Sequence, residues 1–81
     1  MEKMANKASE IPLEPVAHSS HVKATGYGED TSSMVVEYLD GSFYRWEGIP
    51  ASAYTAMRAA PSVGKYLRTM EKQFGKGIRM K

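Results

Sequence analysis

The chain reads as an α+β domain: a three-stranded antiparallel sheet in the order β-β-β-α-α, with two helices packed on one face. Three observations predict this. Residues 33–47 hold two strand-like runs split by Asp40-Gly41, a hairpin pattern. Residues 63–74 carry Val63, Tyr66, Leu67, Met70 and Phe74 at i, i+3, i+4, i+7, i+11 spacing, one face of a helix. A length of 81 residues leaves room for one domain, and a chain this short buries only roughly 60% of its unfolded surface.

The elements follow in order. Residues 1–17 are expected to form a flexible arm, because Met1 to Glu10 is polar and Pro12 and Pro15 punctuate the rest. Ile11 and Leu13 are its only candidates for docking on a sheet edge. Residues 18–75 are the expected folded domain and 76–81 a loose basic tail. The first strand spans His21 to Tyr27, and Gly28 to Ser32 is a turn. Ser33 to Leu39 and Ser42 to Glu47 form the hairpin.

The hairpin register can be argued from burial. A two-residue turn at Asp40-Gly41 pairs Val35 with Trp46 and splits the large apolar residues between two faces. A three-residue loop, Leu39-Asp40-Gly41, pairs Val36 with Tyr44 and Met34 with Trp46, so that Met34, Val36, Tyr38, Tyr44 and Trp46 share one face. A one-residue slip flips every side chain, so burial selects the second register. Glycine at the last loop position suits a type I turn with a bulge.

A helix follows from Pro50 to Ala60. Proline suits its first position, Ala53, Tyr54, Met57 and Ala60 recur at helical spacing, and Pro61 stops it. Ser62 is placed to cap the second helix, Val63 to Phe74, and Gly75 to end it. Lys65, Arg68 and Lys72 fall within about 60° of each other on the face opposite the stripe.

Composition excludes several classes. There is no cysteine, hence no disulfide and no thiolate metal site, and His18 and His21 are too few for zinc. No metal or cofactor is expected. No secretory leader and no apolar run near the ~20 residues of a membrane span is present, so the expected address is cytoplasmic, or the host cytoplasm if the gene is viral. Charge is sharply divided. Up to Met57 there are four basic and eight acidic side chains, a net of −4; from Arg58 onward there are seven basic and one acidic, a net of +6. That split points to an anionic partner for the C-terminal third.

Catalysis finds little support. No glycine-rich phosphate loop is present. A Ser-His arrangement would rest on Ser19, Ser20, His18 and His21 crowded on one short edge, without a third group to hold the base. We therefore expect a binding module and not an enzyme. The candidate binding set is Tyr44, Arg45, Trp46, Lys65, Arg68, Lys72, Lys76 and Arg79, since single-stranded RNA is held by aromatic faces beside cations. The register turns Tyr44 and Trp46 toward the helices and Arg45 away from them. Whether those two aromatics are core or contact residues stays open in the sequence.

One family resemblance adds to this. Ser19-Ser20-His21-Val22, Gly26-Tyr27, Met34-x-Val36-x-Tyr38, Gly41, Tyr44-Arg45-Trp46, Ile49-Pro50, Tyr54, Ala60-Pro61-Ser62 and Gly64-Lys65-Tyr66-Leu67 together resemble the KTSC domain, which occurs at the C-terminus of some lysyl-tRNA synthetases and alone in bacteria and phages. The family's Tyr-x-Tyr reads here as Tyr44-Arg45-Trp46. The pattern is left after Leu67, where Arg68 and Glu71-Lys72 stand in place of an Asn and an Ile-Arg pair. The resemblance implies an RNA-binding role. The alternative partner is an acidic host protein such as RNA polymerase, met by the basic helix, the arm or a sheet edge, as a phage regulator would; a weaker third is a small phosphorylated ligand in a dimer groove.

Overall fold

The computed structural model describes residues 11–17, 19 and 21–80. The first ten residues of the expected arm, His18 and Ser20 of the N-terminal motif, and Lys81 of the tail lie outside them.

An antiparallel sheet is followed by two helices, as expected. The strands are β1 (Glu14–Pro15), β2 (Val22–Gly28), β3 (Ser33–Tyr38), β4 (Phe43–Trp46) and β5 (Ile78–Arg79), with α1 (Ala51–Ala59) and α2 (Val63–Phe74) between β4 and β5. They lie in sequence order across one sheet. The central three strands are those read from the sequence. The sheet has five because two short edge strands come from segments assigned to the arm and the tail.

The β3–β4 register is the one burial selects: Met34 pairs with Trp46 and Val36 with Tyr44. The Tyr38 N–H donates to the Ser42 carbonyl at 2.9 Å and the Gly41 N–H to the Tyr38 carbonyl at 3.0 Å, closing a three-residue loop with Gly41 at φ 92°. Asp40 Oδ1 accepts from the Ser42 N–H at 2.9 Å and from its hydroxyl at 2.6 Å, which ties the loop internally.

In β2 the pairing jumps from Val22–Tyr38 to Ala24–Glu37, so Lys23 is an extra residue, a β-bulge. It lets Val22, Thr25 and Tyr27 share the helix-facing side, which strict alternation forbids. Thr25 is fully buried there, its hydroxyl 3.0 Å from that of Tyr54 on α1. Tyr27 stacks on the Tyr54 ring at 5.2 Å and donates its hydroxyl proton to the Ile49 carbonyl at 2.6 Å.

The core lies between this face and the helices: Val22, Met34, Val36, Trp46 and Ile49 meet Met57, Val63, Leu67 and Met70. Pro50 caps α1 from outside and is not its first helical residue; its ψ of 145° is extended. The Ser62 hydroxyl oxygen accepts from the Lys65 N–H, as expected of an N-cap, and Gly75 ends α2 at φ 85°.

The edges are fastened by side chains. The arm runs over β2 so closely that a Cβ at Gly26 would lie 2.3 Å from the Pro12 carbonyl oxygen and 2.7 Å from Ile11 Cγ2. Arg58 of α1 fixes the same segment. Its guanidinium lies 3.6 Å from the Glu14 carboxylate and donates to the Pro15 carbonyl and the Thr25 hydroxyl. At the other edge, the chain after α2 folds across Trp46, where a Cβ on Gly77 would come within 2.8 Å of the indole. The Met80 N–H then donates to the Phe43 carbonyl at 2.8 Å.

Candidate functional site

Where the hairpin end meets α2, two cavities lie side by side. One, of about 480 Å³, is bordered by Ser19, Ser62, Gly64, Lys65 and Arg68. The other, of about 520 Å³, is bordered by Leu39, Asp40, Ser42, Tyr44 and Lys76. His21, Tyr38 and Glu71 border both, so the two form one open groove with these three at its junction.

Each side chain is placed by a local device. The Ser19 hydroxyl oxygen accepts from the Val22 N–H at 3.0 Å and the His21 N–H at 3.3 Å, and the His21 carbonyl accepts from the Leu39 N–H at 2.8 Å. His21 is thereby tied to the hairpin end. Tyr38 faces the groove because the register puts it on the helix side at the last pair of β3. Its ring meets Tyr44 edge-on, centroids 5.5 Å apart at 84°. Lys65, Arg68 and Glu71 follow one another along α2 at three-residue spacing, so they line one flank.

The electrostatics are mixed. Burial pushes the Tyr38 phenol up to about 12, and the negative charge of Glu71 beside it adds to this. The hydroxyl is therefore a proton donor throughout the physiological range. Asp40 is held below the usual carboxylate range, chiefly by the Ser42 hydroxyl and then by the Ser42 backbone N–H. Its charge is committed to the turn.

The expected binding residues separate. Lys65 and Arg68 border the first cavity; Tyr44 and Lys76 border the second. Trp46 does not belong to a binding surface: it is 4% exposed and donates its indole N–H to the Gly75 carbonyl at 2.8 Å, because the turn after α2 closes over it. Arg45 is on the opposite side of the sheet and pairs with Glu47. Lys72 is exposed on α2 and borders neither cavity. Arg79 stands opposite Tyr44 in β5, near enough to Asp40 to lower its pKa. His21, Tyr38 and Glu71 were missed as site residues. His21 and Tyr38 lie in the motifs that carry the family resemblance, which was the available signal; for Glu71 the signal was its being the one acid among the basic C-terminal third.

Among the described residues no group of three or more histidines and carboxylates could hold a metal ion, and no helix is long and apolar enough to cross a membrane.

A bulged antiparallel meander, backed by two helices that leave an open groove at the hairpin end, defines a small α+β domain. The KTSC domain model matches residues 18–73, and the chain belongs to the KTSC domain family. An uncharacterized protein of Stutzerimonas stutzeri is 30% identical over 54 residues, 67% of this chain and 76% of that protein. The crystal structure of a KTSC domain protein from Yersinia pestis superposes with a TM-score of 0.75 at 25% identity, covering 88% of this chain and 96% of that one. The family match takes in the groove residues from Ser19 through Glu71 and leaves out Lys76, the Ile11–Pro15 segment and β5.

Proposed function

We propose that this is a non-enzymatic module of the cytoplasm that binds single-stranded RNA in the groove between the hairpin end and α2. One observation carries the reading. Three cations border the groove, Lys65 and Arg68 on its first cavity and Lys76 on its second, with Tyr38 at the junction and Tyr44 beside it on the second cavity. Cations that meet phosphates beside aromatic rings that meet bases are what unpaired RNA needs. The cavities also fall within the 300–1,000 Å³ typical of ligand sites.

The second reading, an acidic protein partner, is supported by the β5 edge, where Ile78 is 61% and Met80 41% exposed beside Lys76 and Arg79. An extended acidic segment would add there as a further strand.

Affinity capture from lysate with and without RNase separates the two. Under the RNA reading the captured material disappears with RNase. Purified complex then weakens with salt at a log–log slope of about −2, as expected for three cations on single-strand phosphates. One protein that stays bound after RNase treatment contradicts the RNA reading and moves the interface to the β5 edge.

A further inference from the structure

We propose that the junction of the two cavities reads a guanine base, with Glu71 accepting its N1–H and exocyclic N–H groups and the Tyr38 hydroxyl donating to its O6. The inference rests on the RNA reading above and names the base that groove prefers.

The starting point is a misfit. Glu71 is the one acidic side chain among the residues from Arg58 onward, yet it sits at the centre of the groove and not at its margin. A polyanion held by charge alone would be repelled there. Glu71, a partly buried residue, is tolerated by a nucleic acid only where the ligand presents hydrogen-bond donors to it. Asp40, the other carboxylate on the groove, already accepts both Ser42 protons through one oxygen and serves the turn. Glu71 is the acceptor at the junction itself.

The four bases answer that acceptor differently. Guanine alone carries two adjacent donors on its Watson–Crick edge, N1–H and the exocyclic amine, with an acceptor, O6, next to them. A carboxylate beside a hydroxyl donor is the complement of that row. Adenine and cytosine offer one donor beside a ring nitrogen lone pair, which the carboxylate repels. Uracil offers one donor between two carbonyl oxygens. The hydroxyl side of the complement is also met, because the phenol is kept protonated by burial and by Glu71. The cations are disposed to suit: Lys65 and Arg68 lie to one side of the junction and Lys76 to the other, where the phosphates flanking a central nucleotide would run.

The test uses the full chain and fluorescent oligouridylates that carry one central guanosine, adenosine or cytidine, with affinity read by anisotropy at low salt. The guanosine oligomer is expected to bind about fivefold to a hundredfold tighter than the others, the discrimination of one good bidentate pair. Glu71→Ala, checked for folding by circular dichroism, is expected to weaken the guanosine oligomer and to leave the plain oligouridylate equal or tighter, since a negative charge has gone. Binding of all oligomers within about twofold overturns the guanine assignment and leaves the RNA reading standing. Equal weakening of every oligomer by Glu71→Ala overturns it too, as a merely structural effect. If no oligomer binds, both readings fall.

Discussion

Removing the indole of Trp46 is expected to cost a large part of the stability of the domain. The side chain is 4% exposed, packs with Met34, Ile49 and Met70 in the core, and supports the turn whose Gly77 crosses it. Trp46→Ala loses the transfer energy of the indole and leaves a cavity, together about 3–5 kcal/mol. It also loses the hydrogen bond to Gly75, which anchors the chain before β5. A domain of 81 residues has a stability of about 4–12 kcal/mol at 0.05–0.15 kcal/mol per residue. The variant is therefore expected to lose about 12 °C or more in Tm, at 4–8 °C per kcal/mol. Trp46→Phe keeps most of the volume and deletes the hydrogen bond, at about 1–2 kcal/mol. Because this is the only tryptophan, the assay is urea unfolding followed by far-ultraviolet circular dichroism. A loss below about 1 kcal/mol for Trp46→Ala refutes the assignment to the core and returns Trp46 to the binding surface.

Further outcomes follow from the same structure. Lys65→Glu with Arg68→Glu, both at exposed positions of α2, is expected to leave Tm nearly unchanged and to abolish RNA binding in anisotropy measurements; retained binding removes the groove's cationic end from the account. Gly41→Ala places a Cβ on a residue at φ 92° in open space, so backbone strain alone is expected to cost roughly 1–2 kcal/mol in urea unfolding. Tyr38 has a folded-state pKa raised above its unfolded value near 10, so its contribution is fully present below pH 10 and is lost as pH rises toward 12; tyrosine absorbance is expected to show one late titration that Tyr38→Phe removes. Arg58→Ala frees the segment that Arg58 holds, and hydrogen exchange at the Val16 N–H, bonded to the Lys23 carbonyl, is expected to speed up while the β3 amides keep their protection.

The parts of this fold that could be read in advance are those where a local signal and burial agree. The hairpin register was legible because a slip would put Tyr44 and Trp46 on the face opposite Met34, Val36 and Tyr38. The second helix was legible because Ser62, the apolar stripe and Gly75 mark its start, face and end. The Lys23 bulge was not: it changes which residues of β2 face inward and leaves no mark in a pattern as short as Val22 to Gly28. The edge strands β1 and β5 have two residues each, too few for any period, and depend on Arg58 and Gly77, contacts distant in sequence. For the same reason only the cationic rim and Tyr44 were foreseen at the groove. His21, Tyr38 and Glu71 come from a strand entry, a hairpin end and a helix, and meet only when the sheet is backed by α2.

The most direct test of the groove as the binding surface is a two-dimensional amide spectrum of the labelled full chain, titrated with a short single-stranded RNA. The account predicts that shifts cluster at His21, Tyr38, Lys65, Arg68, Glu71 and Lys76, with Arg45 and Val35 on the opposite side of the sheet unmoved. Shifts confined to Ile78 and Met80 at the β5 edge, or to the side of the sheet that bears Arg45, contradict it.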